Sequence, residues 1–285
     1  MRIVLFSKEV RDRSIDELLR LADECDLEGY DLCVRAGYYF NPDNAGVELP
    51  KAAAAFRKHG LALAMVTGNL DLLTPDHPTA GPLLAAMDRA DVRLLKLGYF
   101  RFDPHKQDYW SEVDRARKAF QGWEKLSARH NVKICYHTHS GRYLGLNCGM
   151  LAHLLRGFDP QRLGAYLDPG HMNIAGEEFS VGLAVLKEYL SLVALKDSLL
   201  QRVEKNGHGS VKAKFVEAGQ GMVDWTSVFD ELARVGFAGP VSVHCEHEMP
   251  RDRLAEAIRK EVAYFKAHRD RVAAAGQAGA LGQQP

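Results

Sequence analysis

The chain of 285 residues carries 37 lysines and arginines against 37 aspartates and glutamates, so its formal net charge is zero. A general nucleic-acid-binding protein should carry a basic excess, and this balance argues against that class. Hydrophobic residues make up 46% of the chain, which is ordinary for a soluble globular protein, and no window reaches the roughly 20 apolar residues that cross a bilayer.

Cysteine usage and the start of the chain bear on the compartment. The five cysteines are dispersed with no CxxC spacing, which predicts reduced thiols in a cytoplasmic protein. The apolar run at 1–7 is too short for a signal peptide, and we expect it to enter the fold directly.

Strand and helix patterns alternate through the first half of the chain. Residues 2–7 predict a buried strand, and Ser14 with Glu17 predicts a capping box at the start of the next helix. Three more pairs follow, with strands at 30–36, 61–67 and 93–99 and helices at 49–59, 79–90 and 109–129.

The alternation continues through the second half. The polar stretch 201–214 predicts a long loop, which is either a lid over a site or a flexible connection. Strands are predicted at 132–139, 163–168, 192–196 and 241–245, and helices at 149–156, 181–190, 225–235 and 251–271.

Eight strand–helix units with near-continuous apolar strands predict an α/β protein, a (β/α)8 TIM barrel that forms a single domain over 1–271. A doubly wound open sheet is the alternative, but no GxGxxG follows the first strand to support a dinucleotide fold. Residues 272–285 are rich in Ala, Gly and Gln and are predicted to be a flexible C-terminal tail.

Functional side chains of such barrels gather where the strands end. The strand at 163–168 ends in Asp168, and Pro169 and Gly170 then turn the chain before His171. A lone histidine at a strand end is usually structural, and Lys196 with Asp197 can be a surface ion pair. Polar residues at six such ends nevertheless predict one site, because buried charges need partners. The further candidates are Arg35, Tyr38, Lys96, His137, His139, Lys196, His244 and Glu246.

The candidates combine carboxylates and imidazoles without a thiolate pair. This chemistry suits Mn²⁺, Mg²⁺, Zn²⁺ or Co²⁺ better than an iron–sulfur centre. His137 and His139 share one face of their strand, as do His244 and Glu246, so either member of each pair can be the one that reaches the site.

Four segments carry a resemblance to a known family. They are 167–171 (Leu-Asp-Pro-Gly-His), 194–198 (Ala-Leu-Lys-Asp-Ser), 219–224 (Gly-Gln-Gly-Met-Val-Asp) and 239–246 (Gly-Pro-Val-Ser-Val-His-Cys-Glu). With these motifs the chain resembles, over about 2–268, the xylose isomerase-like TIM-barrel superfamily of sugar phosphate isomerases and epimerases. The resemblance implies one divalent metal held by Glu, Asp, His and Glu from strands five to eight.

Two of these four ligands differ in this chain. Asp168 matches the aspartate ligand and Glu246 the last glutamate, with His244 as a competitor for that place. His137 stands where the resemblance implies the first glutamate, and Ala194 where it implies the histidine. A metal held by His137, Asp168 and Glu246 keeps open positions for water or substrate. Alternatively, the metal site is lost and these residues have a different function.

The resemblance also implies chemistry on a small carbohydrate. The expected reaction removes a proton next to a carbonyl, with Glu246, His171 and Lys196 as the catalytic residues. Cationic side chains suit an anionic sugar, and the predicted substrate-binding residues are Arg35, Tyr38, Lys96, His139 and His171. The alternatives are an inosose dehydratase-like lyase and a non-catalytic sugar-binding barrel. An apurinic-site endonuclease, a relative by fold, needs more metal ligands and a basic DNA-binding face. The zero net charge of this chain and the missing ligands argue against that function.

Overall fold

The computed structural model describes the backbone of residues 1–281 and the side chains of residues 1–276. Eight parallel strands form a closed barrel, which confirms the predicted TIM-barrel fold. In chain order they are β1 (Arg2–Phe6), β2 (Gly29–Cys33), β3 (Ala62–Thr67), β4 (Leu94–Lys96), β5 (Lys133–His137), β6 (Leu163–Leu167), β7 (Leu190–Leu195) and β10 (Pro240–Val243). The barrel closes by pairing β1 with β10, with Arg2 opposite Pro240.

Helices cover the outer face of the barrel. The predicted capping box at the first helix is present, since the Ser14 hydroxyl accepts from the Glu17 amide and the Glu17 carboxylate accepts from the Ser14 amide. The described helices are α1 (Ile15–Cys25), α2 (Ala45–Lys58), α3 (Ala80–Ala90), α4 (Tyr109–His130), α5 (Cys148–Leu155), α6 (Pro169–Ile174), α7 (Phe179–Leu186), α8 (Trp225–Arg234) and α9 (Leu254–Leu281).

The stretch predicted as a long loop at 201–214 is instead a regular hairpin. Its strands β8 (Asp197–Lys205) and β9 (His208–Val216) pair antiparallel along their whole length. Asn206 and Gly207 join them, both with positive φ (53° and 78°). This backbone matches the right-handed twist of paired strands and favours the dipeptide Asn-Gly, which marks a two-residue hairpin turn.

The C-terminal helix was predicted to end at Arg271, but α9 continues to Leu281. Val272 is buried, and the alanines that follow it are strong helix formers, so the composition that suggested a tail extends the helix. Residues 282–285 of the predicted tail lie outside the described residues, as do the side chains from 277 onward.

Apolar side chains fill the space between barrel and helices, and a second set packs inside the barrel. The inner set is Met65, Cys135, Tyr166, Leu192 and Ala194. Above it the barrel interior turns polar toward the carboxyl ends of the strands. All five cysteines are buried as free thiols. None of the helices within residues 1–281 has both the length and the apolar character needed to cross a bilayer.

Candidate active site

A cavity of about 170 Å³ lies at the carboxyl ends of the barrel strands. It is smaller than the roughly 300–1,000 Å³ of sites for drug-sized ligands and therefore suits a small molecule. A larger, more open cleft of about 600 Å³ lies beside it, and Glu246 borders both. Buried titratable side chains distinguish the smaller cavity, because the charged residues of the larger cleft are mostly exposed. Its lining is Phe6, Lys8, Arg35, Thr67, Leu70, Lys96, Tyr99, His137, His139, Tyr166, Lys196, His244 and Glu246.

Lys196 stands at the centre of the site. Its Nζ lies 2.8 Å from Glu246 Oε2 and 3.3 Å from Asp168 Oδ2. The lysine side chain is only 5% exposed, and Asp168 is fully buried. Lys8 contacts the other oxygen of Glu246, so that carboxylate faces two ammonium groups. Two anions and two cations thus balance one another at this end of the barrel.

The order of residues 168–171 explains how Asp168 and His171 are brought together. Asp168 caps α6, since its Oδ1 accepts the His171 amide at 2.9 Å, and Pro169 occupies the first helical turn. Pro169 and Gly170, predicted only to turn the chain, therefore begin a helix. Gly170 passes so close to the Lys196 carbonyl oxygen that a Cβ would lie 2.4 Å from it. Only glycine permits this approach.

Asp197 is the first residue of β8, and its carboxylate forms no ion pair with the neighbouring Lys196 among the described residues. Its carboxylate accepts the amides of Gly219, Gly221 and Val223 at 2.9, 3.1 and 3.2 Å. Asp197 is also buried, so the possible surface ion pair with Lys196 is not formed. Asp197 thereby anchors the segment 219–224. The two sequence motifs at 194–198 and 219–224 therefore form a structural contact with each other.

The ion pairs fix the charges of the central groups. Burial alone would raise the pKa of Asp168, but Lys196, His171 and His137 outweigh it and hold that pKa well below its usual value. Burial would likewise raise the pKa of Glu246, and Lys196 with His244 and Lys8 lowers it instead. Burial lowers the pKa of Lys196, but Asp168 and Glu246 raise it above its usual value. Both carboxylates are therefore ionised and Lys196 is charged.

Three histidines line one side of the site in neutral form. Burial lowers the pKa of His137 to about 3 and that of His139 to about 4, and burial together with Lys196 lowers the pKa of His171 well below its usual value. The rings of His139 and His171 are 3.8 Å apart at their centroids. His137 Nδ1 is 2.9 Å from the Tyr99 hydroxyl, and His171 Nδ1 is 2.8 Å from the Ser140 hydroxyl.

Several buried polar atoms converge on Asp168 without a hydrogen bond. His137 Nε2 and His171 Nε2 lie 3.3 and 3.9 Å from Asp168 Oδ2. Within the described part of the chain none of these three atoms has a hydrogen-bond partner. Atoms without a partner are rare in protein interiors, and the Lys196 ammonium, 3.3 Å from Asp168 Oδ2, compensates the charge of that carboxylate.

His244 lies deeper in the barrel than Glu246, and both reach the site. His244 Nε2 is 3.0 Å from the Tyr166 hydroxyl, and His244 Nδ1 is 3.5 Å from Glu246 Oε2. The Tyr166 hydroxyl in turn approaches Asp31 Oδ2 at 3.4 Å. A chain of polar groups therefore runs from the barrel interior to the cavity.

Arg35 and Lys96 lie on the opposite side of the cavity. Lys96 is 3% exposed, its Nζ lies 3.6 Å from the centre of the Tyr99 ring, and no carboxylate of the described residues lies within 4.0 Å of it. Burial and the nearby Arg35 lower the pKa of Lys96 well below its usual value. Arg35 Nε donates to the Gly68 carbonyl at 3.2 Å, which holds the guanidinium at the rim.

Three predicted residues do not border the cavity: Asp168 and His171 are buried behind it, where Asp168 contacts Lys196 and His137 of its lining, and Tyr38 lies farther out. Tyr38 lies under the Arg11 guanidinium, 5.5 Å from the ring centre, because the chain turns outward after Arg35. Sequence reasoning missed Lys8, which lies two residues after the end of β1 and obeys the same strand-end rule. It also missed Phe215, whose ring centre is 4.4 Å from Lys196 Nζ, since the hairpin that carries it was predicted as a loop.

The donor set does not fit the divalent metal that the sequence predicts. Among the described side chains no three His, Cys, Asp or Glu residues surround a point where an ion could be held. The predicted ligands His137, Asp168, His244 and Glu246 are neighbours, but the Lys196 ammonium stands between the two carboxylates and has no lone pair to offer. Ala194, buried in the barrel, supplies no donor.

Comparison with known proteins shows which sequences and folds the chain is similar to. An inosose dehydratase of Lactiplantibacillus plantarum is 22% identical over 240 residues, covering 82% of this chain and 75% of that protein. The structure of the 3-keto-D-glucoside 4-epimerase YcjR of E. coli superposes with a TM-score of 0.73 at 15% identity, covering 94% of this chain and 99% of that one. The IolI protein, solved with a zinc atom, gives 0.73 at 13% identity, covering 95% and 99%.

These structural likenesses establish the fold. The sequence model of the xylose isomerase-like TIM barrels matches residues 6–268, which is nearly the whole barrel and all the strand ends described above. The chain therefore belongs to the xylose isomerase-like TIM-barrel family.

Proposed function

We propose that the protein is a sugar isomerase or epimerase that removes a proton from a carbon next to a carbonyl group. The observation that carries this proposal is the Glu246–Lys196 pair at the cavity wall, 2.8 Å between Oε2 and Nζ. It offers an ionised carboxylate beside a fixed positive charge. Proton abstraction next to a carbonyl needs both, a base for the proton and a cation for the oxygen that becomes negative.

The residues divide the work as follows. Glu246 accepts the proton from the substrate carbon, and the electron pair moves onto the carbonyl oxygen to give an enediolate. The Lys196 ammonium faces that oxygen and stabilises its charge in a site that excludes bulk water. His171 does not border the cavity but packs against His139, which does, at 3.8 Å between ring centroids, and so positions that ring toward the substrate. If Glu246 returns the proton to the former carbonyl carbon, and the hydroxyl proton of the first carbon moves to the former carbonyl oxygen, the product is an isomer. An epimer forms if a second acid, such as a water molecule in the cavity, protonates the first carbon from the opposite face and Glu246 gives up its proton to solvent.

The substrate we propose is a small, anionic carbohydrate. The cavity of about 170 Å³ suits a monosaccharide. Lys8 and Lys196 are neutralised by Asp168 and Glu246, but the Arg35 guanidinium also borders the cavity and has no carboxylate within 4.0 Å among the described residues. A phosphate or carboxylate group would match Arg35, which can grip it with two parallel hydrogen bonds. His139 borders the same cavity and is placed to bind a substrate hydroxyl.

A dehydratase is the second candidate. The match to an inosose dehydratase over 82% of this chain favours it, because that relative's name describes loss of water from a keto sugar-like ring. The first step is the same abstraction by Glu246. The intermediate then expels a neighbouring hydroxyl, which leaves as water after receiving a proton.

Turnover in D2O tests both candidates. The purified chain is incubated with a panel of ketoses, keto-inositols and their phosphorylated or carboxylated forms, and products are followed by NMR and mass spectrometry. An isomerase or epimerase exchanges a carbon-bound hydrogen for deuterium without losing water, whereas a dehydratase gives a product lighter by one water. We expect the phosphorylated and carboxylated members of the panel to have a lower KM than the neutral members.

Two matched variants connect the reaction to the site. Glu246→Gln removes the base and is expected to lower the exchange rate by about 10²–10⁴-fold. Glu248→Gln makes the same change two residues along, on an exposed side chain that does not border the smaller cavity, and should leave the rate unchanged. Binding of a sugar without exchange or water loss would instead support the non-catalytic sugar-binding barrel.

We place this activity in the cytoplasm. The five cysteines are free and buried, which accords with a reducing compartment.

A further inference from the structure

We propose that the ammonium group of Lys196 is the resident cation of this site, standing between Asp168 and Glu246 where a divalent ion would have to bind to reach both carboxylates. The site is then independent of metal. This inference concerns the ion that the site binds. It is independent of whether the substrate is a sugar.

The geometry of the pair carries the proposal. Lys196 Nζ is within 3.3 Å of one carboxylate and 2.8 Å of the other, and its side chain is 5% exposed. The ring of Phe215 covers it at 4.4 Å, so the ammonium is enclosed by aromatic surface and by its two partners. An ion at this point would need Lys196 to leave a buried position where it is paired, which is costly.

Charge balance points the same way. Asp168 and Glu246 supply two negative charges, and Lys196 and Lys8 already supply two positive charges in contact with them. Adding a divalent ion would leave this buried cluster with a charge of about +2, next to Arg35 and Lys96 on the cavity wall. The neighbouring strand cannot compensate, because Ala194 has no group that coordinates an ion.

The consequence for turnover rests on the proposed function. Lys196 would then do the work expected of a metal, holding the carbonyl oxygen and stabilising its negative charge. Activity should therefore survive a chelator that strips divalent ions.

The decisive measurements need no substrate. The full-length chain is dialysed against EDTA, its metal content is determined by elemental analysis, and Zn²⁺ and Mn²⁺ are titrated in by calorimetry and thermal unfolding. We expect no stoichiometric ion in the purified protein and no saturable binding of one ion per chain. We also expect no rise in Tm, whereas a ligand present at about 100 times its Kd would raise Tm by roughly 5 °C in a chain of this size.

Two lysine variants locate the effect. Lys196→Met leaves Asp168 and Glu246 facing each other without the ammonium between them. We expect its Tm in EDTA to fall and to recover when Mn²⁺ or Zn²⁺ is added. Lys96→Met removes an equally buried lysine that has no carboxylate within 4.0 Å among the described residues. We expect no ion-dependent change in its Tm.

Either of two results would overturn the proposal. One is binding of one divalent ion per wild-type chain that Asp168→Asn abolishes. The other is a Lys196→Met chain that loses no more stability than Lys96→Met and does not respond to ions. If the activity panel fails while the wild-type chain still binds no ion, the proposed function is wrong and the metal-free site stands.

Discussion

Two closely packed imidazoles are expected to make the site sensitive to acid. The ring centroids of His139 and His171 are 3.8 Å apart, so two positive charges there would repel each other strongly. Burial lowers the pKa of His137 to about 3 and that of His139 to about 4. In the unfolded chain a histidine has a pKa of about 6.5. The unfolded state therefore takes up protons first as the pH falls.

This difference predicts the acid limb of the stability profile. The contribution of the neutral rings is fully present above pH ~6.5 and is lost as the pH falls toward 4, because protonation then favours the unfolded chain. For His139 the loss amounts to roughly 3 kcal/mol at most. Thermal unfolding between pH 7 and 4 measures it. His139→Asn should flatten the slope, and His105→Asn, at an exposed loop, should not.

Strand-end reasoning identified most of the site but not its contacts. It placed Asp168, His171, Lys196 and Glu246 at one rim because polar residues at successive strand ends must converge there. It did not indicate that Lys196 would bridge the two carboxylates. That contact depends on the register of β7 against β6 and on the α6 turn, which one chain's sequence pattern does not specify. The metal ligands were therefore predicted without taking into account that the Lys196 ammonium lies between the two carboxylates.

At the level of elements, the position of α6 depends on the close approach of Gly170 to the Lys196 carbonyl oxygen. A Cβ on Gly170 would lie 2.4 Å from the Lys196 carbonyl oxygen, which is backbone and cannot swing away. Gly170→Ala should therefore push α6 off the end of β7 and destabilise the fold by about 1–3 kcal/mol. It should also move Asp168 relative to Lys196. Chemical denaturation measures the free energy of unfolding.

A second glycine provides the control for that prediction. Gly81 lies inside α3, and a Cβ there would meet nothing within 4 Å. Gly81→Ala should be neutral or stabilise by up to about 1 kcal/mol, because alanine is the better helix former. Equal effects at the two positions would mean that the contact at Gly170 is not tight.

Two elements escaped prediction for the same kind of reason. Pro169-Gly170 was interpreted as a turn, although proline is equally at home in the first turn of a helix, and Asp168 was available as its cap. Asn206-Gly207 is a strong hairpin signal, but the polar composition around it suggested a loop. The eight barrel strands were found because their apolar runs are continuous. The hairpin strands are largely exposed and carry no such run.

At the scale of the whole molecule, one carboxylate links strands across the barrel. Asp31 on β2 accepts the Thr67 hydroxyl of β3 at 2.7 Å and the Ser242 hydroxyl of β10 at 3.0 Å, and the Tyr166 hydroxyl of β6 lies 3.4 Å away. Asp31 is fully buried. Burial raises its pKa above the usual value, although His244 and the hydroxyl donors oppose the rise.

This network acts on stability with the opposite pH dependence to the histidines. An unfolded aspartate has a pKa of about 3.9, so below that pH Asp31 is protonated in both states and adds no charge penalty. As the pH rises through the higher folded pKa, stability is lost, because the folded chain must either keep the proton or bury the charge.

Asp31→Asn preserves the shape and can still hydrogen bond with the three hydroxyls. It should therefore raise Tm at pH 7, by a few degrees at most, and the gain should vanish near pH 4. Thr67→Val, which removes a donor to Asp31, should lower Tm at pH 7. A lower Tm for Asp31→Asn at pH 7 would show instead that the barrel needs Asp31 as an anion, held by the hydroxyls that surround it.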